Sequence, residues 1–200
     1  MKNIQFIAFL SIIVTFLACK KEEPIPIDPI IPTPPPIYVP IFEPGDTTKG
    51  AAYANKLTAT WKGSVYCKTA FLDATKLSIT LFTFTNDGST REELHLGSVS
   101  KNDGVGQYGF ATDIYSPAPS GKVFTFYNTW ASDGDVTEDA FSIDSTDQKN
   151  NLLITKIDLA NKRVEGTFHA TYNLQEPRIN PLNPKKVTFS AGRFWATIRD

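Results

Sequence analysis

From Lys56 to the C-terminus, apolar residues recur at every second position, and this alternation constrains the fold more than any other feature of the chain. Leu57, Ala59 and Trp61 are separated by Thr58, Thr60 and Lys62. A period of two belongs to a β-strand with one dry face, because successive side chains leave a strand on opposite sides. The pattern returns in Leu77, Ile79 and Leu81, in Leu94 and Leu96, in Tyr108 and Phe110, in Val123 to Trp130, and in Phe141 and Ile143. Leu152 to Ile157 is largely apolar on both sides, which predicts a central strand. Val164, Gly166, Phe168, Ala170 and Tyr172 then alternate with Glu165, Thr167, His169 and Thr171, and Val187-Phe189 and Phe194-Ala196-Ile198 close the series. Asn86-Asp87-Gly88 and Asn102-Asp103-Gly104 supply turn signals between neighbours, and no stretch carries a helical period with caps.

Short strands at this spacing predict an all-β domain, an antiparallel β-sandwich or a partly open β-barrel, with a calycin-like barrel as the alternative. The alternation leaves about 150 residues for it, enough to bury roughly two thirds of the unfolded surface without metal or disulfide. No cofactor is implied. Upstream, Pro24 to Pro44 intersperses proline with isoleucine, as in Pro24-Ile25-Pro26-Ile27 and Pro34-Pro35-Pro36. Proline fixes φ and donates no backbone hydrogen bond, so this stretch is expected to be an extended, polyproline-like stalk. Its about 30 residues at ~3.1 Å each reach at most on the order of 90 Å. The expected organisation is a leader over 1–18, a tether over 19–55 and one β-domain over 56–200.

The leader reads as an export signal. Met1-Lys2-Asn3 is a short positive start, and Ile4 to Leu17 is almost wholly apolar yet short for a membrane span. Phe16-Leu17-Ala18-Cys19 resembles the lipobox of bacterial lipoproteins. The resemblance implies cleavage before Cys19 and diacylation of its sulfur, and two or three acyl chains at ~0.8 kcal/mol per buried CH₂ make a stable anchor. Lys20-Lys21-Glu22-Glu23 follows, and Lys21, Glu22 and Glu23 resemble the export signal of surface lipoproteins in the Bacteroidota. The implied location is the outer membrane, lipid-anchored and facing the cell surface. A formal net charge of −1 with no basic stripe argues against a nucleic-acid partner. The only other cysteine, Cys67, lies in a β-like segment and is expected to be a free, buried thiol.

Ile154-Thr155-Lys156-Ile157-Asp158 turns through Asn161-Lys162 into Gly166-Thr167-Phe168, and Gly192-Arg193-Phe194 comes near the end. With Trp61-Lys62-Gly63, these segments resemble a family of uncharacterised Bacteroidota lipoproteins bearing a domain of unknown function. The likeness runs from about Lys56 to Asp200 and implies location and fold, with no catalytic residues to carry over. Physically, Asp158 and Asn161 suit a turn, and Gly166 suits a bulge or a close backbone approach.

Several residues are candidates for chemistry. His95 and His169 lie opposite the apolar stripes and could share a metal with Glu93 if their strands met, though their spacing is not that of a metal site. Asp133, Asp135, Glu138 and Asp139 crowd four carboxylates into seven residues, where an extracellular Ca²⁺ would sit, although a solvated turn is the plainer reading. Phe124, Phe126, Trp130 and Trp195 lie opposite the main apolar stripe, where exposed rings stack on sugars or anchor proteins, with core filling as the rival reading. Asp46-Thr47-Thr48 and Asp144-Ser145-Thr146 resemble an O-glycosylation acceptor of exported Bacteroidota proteins. Thr47 lies beside the stalk, whereas Ser145 follows the Phe141 and Ile143 strand, where a folded sheet would shield it. No serine lies in a G-x-S-x-G elbow. The favoured reading is a non-catalytic binding module for carbohydrate or another envelope protein. The rivals are an enzyme acting on envelope or extracellular polymers and a structural envelope component.

Overall fold

The computed structural model describes residues 50–199 except 58, 86–87 and 113–117, together with the short strand Ile37–Tyr38. Twelve strands are formed, with no helix among the described residues: β1 (Ile37–Tyr38), β2 (Ala51–Lys56), β3 (Ala59–Ala70), β4 (Asp73–Thr85), β5 (Thr90–Ser100), β6 (Gly106–Ala111), β7 (Lys122–Phe124), β8 (Phe126–Trp130), β9 (Thr137–Ile143), β10 (Asn151–Asp158), β11 (Arg163–Leu174) and β12 (Lys186–Arg199). The all-β expectation holds.

Eight strands pair in a closed cycle, each antiparallel to the next: β12, β2, β3, β4, β5, β8, β9, β11 and back to β12. Strand length explains how the ring branches. One edge of β11 pairs with β12 from Arg163 to Asn173. Its other edge is divided between β10, over Arg163–His169, and β9, over Tyr172–Leu174. β10 continues outward to β6, and β6 pairs in parallel with β7. β7 and β8 are a single run broken at Thr125, whose hydroxyl donates to the His95 carbonyl at 2.6 Å. The run therefore serves two walls in turn, β6 first and then β5 and β9.

The inward positions are those of the alternation. Leu77, Ile79, Leu81, Leu94, Leu96, Phe141, Phe168, Tyr172, Phe189 and Phe194 form one continuous core with Trp61 and Tyr127. Edge-on rings tie it together, with Trp61 to Phe189 at 5.3 Å and Tyr127 to Phe189 at 5.2 Å between centroids. Such pairs add about 0.5–1.5 kcal/mol each beyond the area they bury.

The two glycine–phenylalanine motifs are one interlocked unit. Gly166 lies opposite Phe194, and Phe168 opposite Gly192. A Cβ on Gly166 would lie 2.7 Å from the Phe194 ring, and one on Gly192 2.6 Å from the Phe168 ring. Each ring thus lies over the other strand's glycine, which is the close approach expected at Gly166. Two register shifts flank the unit, at Thr155 on β10 and at His169 on β11.

Three expectations need correction. The sheet begins before Lys56: β2 runs from Ala51 within the span assigned to the tether, and Ala51, Ala52 and Ala54 are buried. Its small side chains carry little hydropathy but let β2 lie close between β3 and β12. The pair Ile37–Tyr38, inside the proline-rich stretch, is antiparallel to Thr85 and Phe84 of β4. Leu57 does not share the dry face of Trp61; it occupies the β2–β3 turn with φ 56° and is 54 % exposed. β10 is a central strand as expected, with β11 on one edge and β6 on the other, although only one of its faces is covered and Leu153 is exposed.

Candidate functional site

The outer face of β2, β11 and β12 carries an aromatic and charged trough. Outward side chains meet there because directly paired residues share a face. Glu165 lies opposite Trp195, Thr167 opposite Arg193, and Arg193 in turn opposite Tyr53. A depression of about 410 Å³ runs between them, lined also by Thr155 and by Ala51, Gly166 and Phe194. The Arg163 guanidinium lies over the Trp195 ring at 4.7 Å, and that of Arg193 over the Tyr53 ring at 5.5 Å. Arg163 Nε also donates to Glu165 Oε1 at 2.7 Å. Tyr53 is 37 % exposed and Trp195 half-buried. The trough thus offers apolar ring surface, planar N–H donors and a carboxylate acceptor within one concavity.

Of the four predicted platform residues, only Trp195 belongs to it. Phe124, Phe126 and Trp130 do point outward and are half-buried, as their register predicts, but they stand on β7 and β8, and β9 and β11 lie between β8 and β12 on the shorter way round the ring. Phe126 is stacked by His95 at 5.0 Å and 19°. The Trp130 indole N–H is buried without an acceptor. These three rings and Trp195 therefore form no common platform. Tyr53 escaped the sequence reading because it lies in the stretch assigned to the tether.

The acidic segment is divided by its strand. Asp133 accepts the Asp135 backbone N–H at 3.2 Å in an exposed turn. Glu138 faces Arg91 at 4.0 Å. Asp139 is buried and fastens the β11–β12 connection, accepting Ile179 N–H at 2.6 Å, Asn180 N–H at 3.2 Å and Asn183 Nδ2 at 2.7 Å. Two of the four acids are thus engaged by the fold, and among the described residues no three His, Cys, Asp or Glu side chains are gathered to hold a metal. His95 and His169 also stand apart, on β5 and β11. The His95 Nδ1 lies 3.0 Å from Thr80 Oγ1, and burial pushes its pKa down to about 4. His169 Nε2 lies 3.4 Å from Asp147.

Ser145 is exposed and not shielded, because β9 ends at Ile143 and the chain turns outward on Asp144. Asp144 is itself buried and held by Lys186 Nζ at 2.8 Å and Thr146 Oγ1 at 2.6 Å, which keep its carboxyl well below the usual range. Ser145 borders a second cleft of about 490 Å³, where Phe110 and Ile143 are flanked by Lys122, Asp147 and Asn150. Cys19, Lys21, Glu22, Glu23 and Thr47 lie outside the described residues.

Inside the ring is a polar cluster that the sequence reading missed. Glu92 is 4 % exposed and accepts Trp61 Nε1 at 2.7 Å, Tyr127 OH at 2.6 Å and Thr83 Oγ1 at 3.1 Å, with Lys56 completing an ion pair. Burial pushes the Glu92 pKa up, but the Lys56 charge and the hydrogen bonds outweigh it and leave the carboxyl below its ordinary value. Burial, followed by the adjacent Glu92, raises the Tyr127 phenol well above its ordinary value. Every acceptor direction is occupied by protein, so the cluster is a fastening between β2, β3, β4, β5 and β8. Cys67 is buried, and its thiol is pushed up to about 12.

Comparison with family models, curated proteins and solved structures gives no match.

Proposed function

We propose that this chain is a lipid-anchored protein of the outer cell envelope whose β-domain binds carbohydrate without transforming it. The observation that carries the binding half is the trough, where Trp195 and Tyr53 each stack with an arginine beside Glu165. Pyranose rings present apolar C–H faces that pack on aromatic surface, and hydroxyls that pair with guanidinium and carboxylate groups. The anchor half rests on Leu17-Ala18-Cys19 after an apolar leader, and the surface location on Lys21, Glu22 and Glu23.

The test is equilibrium binding of soluble envelope polysaccharides to the wild-type chain and to Trp195→Ala and Tyr53→Ala. Each truncation should weaken binding about tenfold, equivalent to ~1.4 kcal/mol, with the melting temperature changed little for Tyr53→Ala. Equal binding by both variants removes the trough from the account. Cys19→Ala tests the anchor separately: the chain should no longer incorporate labelled fatty acid or partition with membranes.

A further inference from the structure

One end of the ring is built to meet a surface. The β3–β4 hairpin closes there on Phe71 and Leu72, which are 97 % and 92 % exposed. Soluble surfaces scatter single apolar side chains; two neighbours held bare at a hairpin tip are a different feature. The topology brings two more connections to the same end. Ser100, at the end of β5, pairs with Lys76 at the start of β4, so the β5–β6 turn with Val105 lies beside the tip. The β10–β11 turn, with Leu159, lies beside that turn in its own right, since a Cβ on Gly104 would lie 2.7 Å from Ile157 Cδ1. Val105 is 58 % and Leu159 47 % exposed.

The charge around these residues has a sign. Lys68 and Lys76 are exposed on the two strands of the hairpin, Lys101 donates to Thr69 at 2.9 Å, and Lys156, Lys162 and Arg199 stand on the neighbouring elements. Among the described residues, the carboxylates at this end are Asp73, Asp103, Asp158 and, opposite Lys156, Glu165, which Arg163 holds. Asp73 is held by Thr75 and Lys76, and Asp158 by Asn161 and Lys156. With Arg163, seven cations thus face four carboxylates among the described residues. The opposite end also exposes apolar residues, Leu57, Val136, Ile179 and Leu182, but they are spread over three connections, and Asp133 and Asp135 lie exposed beside Val136.

We infer that the β3–β4 tip inserts Phe71 and Leu72 into the interface of an anionic bilayer while the surrounding lysines contact headgroup phosphates. Apolar side chains backed by basic ones are what such an interface binds, and each lysine near an anionic leaflet strengthens partitioning roughly fivefold. This holds the domain end-on to the membrane and leaves the side-wall trough in water. The inference does not rest on the lipid anchor.

The test uses the full chain carrying Cys19→Ser and Leu72→Cys, with an environment-sensitive nitrobenzoxadiazole on position 72; buried Cys67 does not compete for the label. Vesicles containing phosphatidylglycerol should shift the emission to the blue and raise it. Pure phosphatidylcholine vesicles should give a smaller change, and high salt or added Lys68→Glu and Lys76→Glu should abolish the response. A label at Val136→Cys should stay in water throughout. An unshifted label at position 72, an equal shift at position 136, or a shift that grows with protein concentration before vesicles are added would each overturn the inference. The last of these would mark self-association.

Discussion

Replacing Lys56 by Met removes the one cation that, among the described residues, pairs with the enclosed carboxylate of Glu92. Glu92 is 4 % exposed and keeps three neutral donors, from Trp61, Tyr127 and Thr83, once the ammonium is gone. Breaking one partner of a buried ion pair costs about 3–5 kcal/mol. The Lys56 side chain retains 22 % of its exposure, so water softens the loss and the lower figure, ~3 kcal/mol, applies. For a domain of this size that lowers Tm by roughly 6–12 °C. The pH dependence has a definite sign. In the wild type the folded Glu92 pKa is depressed, so its stabilisation is present above the unfolded carboxylate pKa and is lost as pH falls through the folded one. In Lys56→Met burial is opposed by less and the folded pKa rises, so the penalty is full at neutral pH and shrinks as pH falls toward the unfolded value. The gap between the two proteins should therefore be widest near pH 7 and narrow on acidification. Urea unfolding of both across this range measures it, and Lys56→Met/Glu92→Gln should recover most of the loss at pH 7. A gap below about 1 kcal/mol at pH 7, or one that does not change with pH, would refute the reasoning.

Gly166→Ala should cost about 1–3 kcal/mol, because its Cβ would lie 2.6 Å from the Leu153 carbonyl as well as against the Phe194 ring; chemical denaturation of Gly166→Ala, and of the same change with Phe194→Leu, reads both terms. Cys67 should resist thiol reagents in the folded chain at neutral pH and react once the chain is unfolded, which mass spectrometry after pulsed alkylation detects. His95 should stay neutral from pH 7 down to near its depressed pKa of about 4. Since the unfolded ring takes its proton near 6.5, stability from this group is lost as pH falls between those values, and an NMR titration of the imidazole reports the folded pKa directly.

The strands were legible because one face of each is dry: Leu77-Ile79-Leu81 and Phe141-Ile143 announce their register in their own spacing. Closure of the ring was not, because β12 pairs with β2 as well as with its chain neighbour β11, and the β2 pairing joins residues more than a hundred positions apart. β2 was missed because alanine carries a weak hydrophobic signal, and with it went Tyr53. Glu92 sits among charges in Arg91-Glu92-Glu93, but it shares parity with Leu94 and Leu96 and therefore faces inward. The likeness of Gly166-Thr167-Phe168 to Gly192-Arg193-Phe194 was visible as two motifs; that they form one reciprocal contact needed the register between β11 and β12. The outward direction of Phe124, Phe126 and Trp130 was readable, but their distance from Trp195 around the ring was not.

The chain has three tryptophans, and each reports a different place: Trp61 in the core, Trp130 on β8 and Trp195 in the trough. Their indole N–H resonances, followed by NMR while a soluble envelope polysaccharide is titrated in, test the binding claim most directly. The account predicts that the Trp195 signal moves with saturating dependence on ligand, together with the Arg163 and Arg193 side-chain Nε–H signals, while Trp61 stays in place. Movement of Trp130 with Trp195 unmoved, or no movement with any of the polysaccharides, would contradict it.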